Sequence, residues 1–386
     1  MEDSRYSRLE GIPWWDQKAV AGARAIVLGC GALGNEVIKN LLLIGWGNLI
    51  VVDFDRVELS NLTRSVLFRS EHIGEPKATV IERVSGTINP DCKVVGLSGN
   101  LKSEVSAGMI RNVDAVFGCL DSISARVTAC RLAGEADRPY IDGGLSPWEA
   151  SVRLFLPSSG GACYLCGLSQ ADHKWLSLRR SCPAYAARAT TAGGVPTTPT
   201  GGSLAASLMV QQSLKWLHRL TGGKAMPVSR ELRFDLLYNR FWNLELPRNE
   251  DCVLHPTPIF GAEEEPVRIG GSWAEILDHC RRRLGAGVAL HLPLAVLETL
   301  SCLECGWREQ INRTHDLDEV LSCKECGASA IPRVRNQVVG DEEWFHLAPA
   351  EMGFPPGSWI TASAEDTEWV FELEQSRAEP LQEGAQ

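Results

Sequence analysis

Arg24-Ala25-Ile26-Val27-Leu28-Gly29-Cys30-Gly31-Ala32-Leu33-Gly34 is the stretch that decides the fold. Its first half is a short apolar run of buried-strand type. Its second half is a G-x-G-x-x-G loop. Helical spacing follows through Val37, Ile38, Leu41 and Leu42, and Leu49-Ile50-Val51-Val52-Asp53 reads as a second strand. Strand, glycine turn, helix and strand make a βαβ unit. In this unit the small residues Gly29, Gly31, Ala32 and Gly34 let backbone N–H groups approach a phosphate at a helix N-terminus. Asp53, ending the next strand, is suited to a ribose hydroxyl.

The alternation continues downstream. Lys77 to Ile88 reads as helix, Lys93 to Leu97 as strand, Asp114 to Cys119 as strand, Ser124 to Ala136 as helix and Pro139 to Asp142 as strand. Ser151 to Leu156 reads as an antiparallel addition. Such alternation predicts an α/β fold: a Rossmann-like, mostly parallel sheet with helices on both faces. The nucleotide-binding part is expected over 1–255, with a Gly-, Pro- and Thr-rich loop over 176–203. A linker at 256–266, a small C-terminal domain over 267–372 and a polar, flexible tail at 373–386 complete the expected organisation.

Bulk composition narrows the class. The chain has 386 residues, 44% hydrophobic and 22% charged, ordinary for a soluble globular protein of two or three domains. A formal net charge of −10 argues against a nucleic-acid partner. No run of eighteen apolar residues predicts a membrane span, and Met1-Glu2-Asp3-Ser4 does not resemble a signal peptide. Thirteen cysteines without a signal peptide point to a reduced, cytoplasmic protein with metal sites rather than a disulfide scaffold.

A nicotinamide dehydrogenase is the default reading of the glycine loop, and the residues that follow change it. Val52-Asp53-Phe54-Asp55 leads to Ser60-Asn61-Leu62-Thr63-Arg64, then Gly74-Glu75-Pro76-Lys77, and later Leu120-Asp121-Ser122. Hydride transfer has no need of Arg64 and Lys77. Nucleotidyl transfer does, because charge develops on phosphate oxygens in its transition state. An acid at a strand's C-terminal end, such as Asp121, can hold Mg²⁺.

With these motifs, residues 1–255 resemble the ThiF-type adenylyltransferases, and among them the activating enzymes for ubiquitin-like proteins, in a prokaryotic type. The resemblance rests on Arg5-Tyr6-Ser7-Arg8, the glycine loop, Asp-Phe-Asp, Ser-Asn-Leu-x-Arg, Gly-x-Pro-Lys-Ala and Asp121. It implies that ATP and Mg²⁺ are bound, with Asp53 on the ribose, Asn61, Arg64 and Lys77 on phosphates and Asp121 on Mg²⁺. It further implies a homodimer in which Arg8 reaches the partner subunit's ATP. Ala32 departs from the family's usual glycine.

The cysteines divide into three sets. Cys163-Tyr-Leu-Cys166 is a C-x-x-C knuckle, and Cys252-Val-Leu-His255 supplies two further donors at matching spacing. Four such ligands close a structural zinc site; the other reading makes Cys252 and His255 ordinary loop residues. Cys302-Leu-Glu-Cys305 and Cys323-Lys-Glu-Cys326 have the C-x₂-C-x₁₇-C-x₂-C spacing of a zinc ribbon. Five Lys/Arg against six Asp/Glu over 302–335 leave that ribbon no basic footprint, so a structural or protein-docking role is expected. Cys182 belongs to neither set. It follows Arg179-Arg180-Ser181, whose guanidinium groups favour a thiolate. The resemblance places a thioester-forming cysteine in a crossover loop ahead of a Thr-rich segment and a helix, as Pro196-Thr197-Thr198-Pro199-Thr200 and Leu204 onward follow here. The stretch Ala184 to Val195 is extra. Cys182 is therefore the candidate nucleophile.

The expected function is MgATP-dependent adenylation of the C-terminal carboxylate of a ubiquitin-like β-grasp protein, then thioester formation on Cys182 for transfer to a conjugating enzyme. The rivals are adenylation of a sulfur-carrier protein for cofactor biosynthesis, dehydration of a tRNA base, a nicotinamide oxidoreductase and a non-catalytic scaffold.

Overall fold

The computed structural model describes residues 4–169, 196–220, 230–252, 255–261, 263–316, 319, 321–365 and 367–374. Cys182 and most of the 176–203 loop lie outside the described residues. A leading arm carries α1 (Ser7–Glu10) and α2 (Gln17–Gly22). The Asp16 carboxylate caps α2 by accepting from the N–H groups of Lys18 and Ala19 at 2.9 and 3.2 Å. The arm is pinned at two points. The Tyr6 hydroxyl donates to Asp91 at 3.1 Å and accepts from Asn89 at 2.8 Å. His218 accepts from Asp16 N–H at 3.1 Å and lies against Trp14 and Trp15, 5.5 Å away in each case.

Next come β1 (Arg24–Leu28), α3 (Ala32–Ile44), β2 (Asn48–Val52), α4 (Lys77–Ile88), β3 (Lys93–Leu97), α5 (Leu101–Glu104) and α6 (Ala107–Arg111). They are followed by β4 (Ala115–Gly118), α7 (Ile123–Glu135), β5 (Tyr140–Leu145), β6 (Glu149–Phe155), α8 (Pro199–Leu217), β7 (Arg230–Asp235) and β8 (Arg240–Glu245). The eight strands form one sheet in the order β3-β2-β1-β4-β5-β6-β7-β8. The first five run parallel and the last three are added antiparallel, beginning with the Tyr140–Phe155 pair. Strand order reverses between β1 and β4, and open α/β sheets bind ligands in the crevice at such a point.

Helices cover both faces. α3, α4 and α8 bury Val37, Leu41, Ile81 and Met209 on one face; α6 and α7 bury Ile110 and Ala133 on the other. α3 stops at Gly45, whose φ of +78° supplies the left-handed cap that an L side chain resists. α8 begins earlier than the Leu204 that hydrophobic spacing suggests. Thr198 caps it by accepting from Gly201 N–H at 3.2 Å, and Pro199 takes the first helical turn, where its missing N–H costs nothing.

The C-terminal part is a second sheet. β9 (Val267–Ile269), α9 (Trp273–Leu284), β10 (Ala289–Ser301), β11 (Arg308–His315), β12 (Ile331–Val338), β13 (Trp359–Ala364) and β14 (Thr367–Leu373) give the order β11-β10-β13-β14-β9, with β12 also paired to β10. Trp273, Ile276, Leu277 and Cys280 on α9 pack with Trp344 and Phe371 in a core of their own. Leu373, expected to open the tail, ends β14 and is buried.

The two sheets meet through α6 and α7. Trp359 packs into the first sheet's second core, edge to face with Phe260 at 4.8 Å. Ser106 Oγ donates to Pro356 O at 2.6 Å and Gly108 N–H to Gly357 O at 3.1 Å. The stretch expected as a linker is thus partly buried; Pro256 lies where a side chain on Gly134 would be. Among the described residues no helix is long and apolar enough to cross a membrane.

Gly108 is the tightest point of this junction, for a Cβ there would stand 2.5 Å from both Gly357 O and a Glu372 carboxylate oxygen. Gly108→Ala is expected to destabilise the chain by about 1–3 kcal/mol, as overpacking does. A thermal unfolding midpoint equal to wild type would refute the tight contact.

Candidate nucleotide site and metal centres

The site grows from the glycine loop. Gly29, with φ of +89°, passes so close to the loop after β4 that a Cβ would lie 2.4 Å from Cys119 O. A Cβ on Gly34 would lie 1.9 Å from Gly29 O. Gly31 differs: nothing stands within 4 Å of its Cβ position, so open space lies above the N-terminus of α3. Buried Asn35 holds this turn, donating to Cys30 O at 2.7 Å and accepting from Leu67 N–H at 2.9 Å.

Asp53 leaves β2 into the crevice. Its carboxylate accepts from Cys30 N–H at 2.6 Å and Asp55 N–H at 2.7 Å. Burial raises its pKa above the ordinary carboxylate range, against the opposing pull of Lys77 and the two N–H groups. Lys77, at the first position of α4, is itself buried and pairs with Asp55 at 2.8 Å. Buried Asn61 spends its side-chain oxygen on Glu58 N–H at 3.0 Å. Arg64 Nη1 donates to Ser60 O at 3.1 Å. Asp121 is exposed at the end of the loop after β4.

These groups surround one cavity of about 1190 Å³, whose lining includes Gly31, Ala32, Asp53, Asn61, Arg64, Lys77, Asp121 and Thr197. An ATP-sized ligand fits comfortably, since small-molecule sites run to about 300–1,000 Å³. Ala32 lies in the wall without closing it. Arg8 is exposed on α1 and is not among the residues around the cavity. Cys182, outside the described residues, has no measured relation to it.

Two groups at the site escaped the sequence reading. Arg126, three residues inside α7's start, lines the same cavity as Asp121. Its guanidinium donates to both Asp142 oxygens at 2.7 and 2.6 Å and to Leu120 O. Burial works against the Arg126 charge, but Asp142 and its neighbours outweigh it and raise the pKa. Tyr140 completes the cluster by donating to Asp142 at 2.9 Å. The cluster fixes the carbonyl next to Asp121. The second missed group is the C-terminal sheet, which contributes Arg313, His315, Asp316 and Glu319 to the same cavity.

The metal-ligand sets assemble as their spacing suggests. Cys163 Sγ lies 3.7 Å from Cys166 Sγ and 3.6 Å from Cys252 Sγ, and Cys166 Sγ lies 4.0 Å from His255 Nδ1. Thiolates at about 2.3 Å from a tetrahedral zinc stand about 3.8 Å apart, so the donor set fits that ion. His255 Nε2 donates to Asn249 O at 2.7 Å, which leaves Nδ1 free to ligate. Cys302 and Cys326 are 3.5 Å apart, as are Cys305 and Cys323, in a second group of four. Its two knuckles repeat one turn, with Gly306 and Gly327 in the left-handed region donating to Cys302 O and Cys323 O, both at 3.0 Å.

Residues 4–254 match the ThiF family. The chain belongs to it. The match covers the first sheet and stops before the second. A sulfur carrier protein adenylyltransferase of Thermus thermophilus is 30% identical over 64% of this chain and 85% of its own. A ubiquitin-like modifier-activating enzyme 5 of Oryza sativa is 27% identical over 58% of this chain and 54% of its own. Among solved structures, E. coli MccB shares the fold with a TM-score of 0.53 at 23% identity, over 65% of this chain and 74% of its own.

Metal analysis of the purified chain is expected to return two zinc ions per chain. Cys305→Ser should lower this to one, because the two donor sets share no residue. A single zinc in the wild type would remove one of the two centres.

Proposed function

We propose that this ThiF-family chain is an ATP-dependent adenylyltransferase that activates the C-terminal carboxylate of a small β-grasp carrier protein. The observation that carries the reading is one cavity lined by the glycine loop, Asp53, Arg64, Lys77 and Asp121 in a chain of this family. Asp53 would hold the ribose, the N-terminus of α3 and Asn61, Arg64 and Lys77 the phosphates, and Asp121 the Mg²⁺ ion that offsets phosphate charge. A carboxylate oxygen of the carrier attacks the α-phosphorus, the bond to the β-phosphate oxygen breaks, and pyrophosphate leaves. The product is an acyl-adenylate. Arg64 and Lys77 stabilise the charge that moves onto the departing oxygens.

We further propose a ubiquitin-like carrier and a second step at Cys182. Its thiolate attacks the acyl carbon, the acyl–oxygen bond breaks, and AMP departs, leaving a thioester for a conjugating enzyme. Arg179 and Arg180 favour the thiolate from its own segment. The segment that follows brings Thr197 to the edge of the cavity, ahead of α8. Adenylation of a sulfur carrier is the second reading, motivated by the activity named in the Thermus relative. A homodimer in which Arg8 serves the partner's site accounts for the exposure of Arg8 away from its own cavity.

ATP–pyrophosphate exchange dependent on the carrier should fall about 10²- to 10³-fold in Arg64→Ala and in Asp121→Asn, the usual loss for a group that stabilises developing charge. Absence of carrier-dependent exchange across a panel of β-grasp proteins rules out adenylation. Cys182→Ser should keep exchange at the wild-type rate and lose the thiol-sensitive conjugate with the carrier. A conjugate that persists in Cys182→Ser moves the nucleophile elsewhere. A thiocarboxylate formed with a sulfur donor, without any conjugate, selects the sulfur-carrier reading.

A further inference from the structure

The strand order orients a nucleotide in the crevice. With phosphates at the glycine loop of β1 and ribose at Asp53 on the end of β2, the base extends away from β1, over the end of β3. The loop there ends at Asn100, which caps α5 by accepting from the N–H of Lys102, in that helix's first turn, at 3.0 Å. Opposite it stands the end of β11. Both sides line the same cavity.

The two sides are bonded to each other. Lys102 Nζ lies 2.5 Å from Asp316 Oδ1 and 3.3 Å from Ser124 Oγ. Asn100 Nδ2 donates to Asp316 Oδ2 at 3.4 Å. The ion pair is mostly shielded, at 17% and 21% side-chain exposure, which makes it stronger than an open surface pair. Further along the same wall Arg313 grips Glu319 at 2.5 and 3.0 Å, and buried His315 faces Glu319 at 3.3 Å. Burial lowers the His315 pKa, against the opposing pull of Glu319. Both cations here, Lys102 and Arg313, are held by carboxylates, Asp316 and Glu319, and Glu351 adds a third carboxylate to the same wall. Such a wall suits an uncharged heterocycle better than a triphosphate. The β11 strand is not a loosely hung flap, because its sheet is joined to α6 and α7 through Trp359 and Gly108. It lies beyond residue 254, where the family match ends.

We propose that the C-terminal sheet supplies the outer wall of the base pocket, and that Lys102–Asp316 is the latch that holds it against the loop after β3. The inference rests on the nucleotide reading above. It assigns Asp316, Lys102 and the end of β11 to positioning the base, with no part in the phosphate chemistry.

Calorimetric titration of the full chain with ATP and with inorganic tripolyphosphate tests it, since the second ligand has phosphates and no base. Asp316→Ala should weaken ATP binding about tenfold, or about 1.4 kcal/mol, and leave tripolyphosphate binding within about twofold. Lys102→Met should behave alike, and serves if Asp316→Ala does not fold. The exchanged pair Lys102→Asp with Asp316→Lys should recover most of the lost ATP affinity. Unchanged ATP affinity in the folded single variants overturns the wall while leaving the proposed function intact. Equal losses for both ligands also overturn it, as they signal damage to the whole cavity. A wild-type chain that binds no ATP overturns both readings together.

Discussion

The carbonyl of Cys119 occupies the space that a side chain on Gly29 would need, and the carbonyl of Gly29 does the same to Gly34. This mutual contact of three backbone segments is the constraint from which the rest of the site follows. It brings the ends of β1 and β4 and the start of α3 together at the point where strand order reverses. With no side chains in the way, Cys30 N–H can reach Asp53, and Asp53 is turned into the crevice rather than out to water. The burial that raises the Asp53 pKa is thus a by-product of the packing that creates the cavity. Two N–H donors and the nearby Lys77 offset part of that cost.

Much of this was legible in the sequence because it is local. Period and breakers gave β1 to β5 their identities, and Lys77–Ile88 and Lys93–Leu97 were read with the bounds that the structure shows. Asp53, Lys77 and Asp121 stand at strand ends or helix starts, where a βα unit presents side chains to one edge, and Arg64 closes the short turn Leu59–Thr63 between β2 and α4. The cysteine pairs announce themselves through spacing. What could not be read is non-local. Asp55 as the partner of Lys77 and Asp142 as the partner of Arg126 depend on neighbouring strands, with no repeating pattern to betray them. No local pattern points to the contacts of His218, which are Asp16 and the Trp14–Trp15 pair about two hundred residues earlier. The stretch 256–266 looked like a linker from its prolines and glutamates, although Phe260 is buried under Trp359.

The two thiolate-rich donor sets would do different mechanical work on holding zinc. One joins segments distant in the chain, Cys163 and Cys166 near β6 with Cys252 and His255 beyond β8. Closing so long a loop removes much of the unfolded chain's freedom. The other closes a short hairpin-like excursion between β10 and β12, and so stiffens the strand whose far end, at His315 and Asp316, reaches the cavity. Neither donor set borders the cavity.

Trp359 sits in the core beneath α6 and α7, not in the core of its own sheet. One flank of the first sheet is thus covered by a residue of the second. A chain ended at the family boundary would leave that flank, with Ile110 and Leu132 beneath it, partly open to water. Standing alone, the first sheet would therefore need other side chains to seal that face.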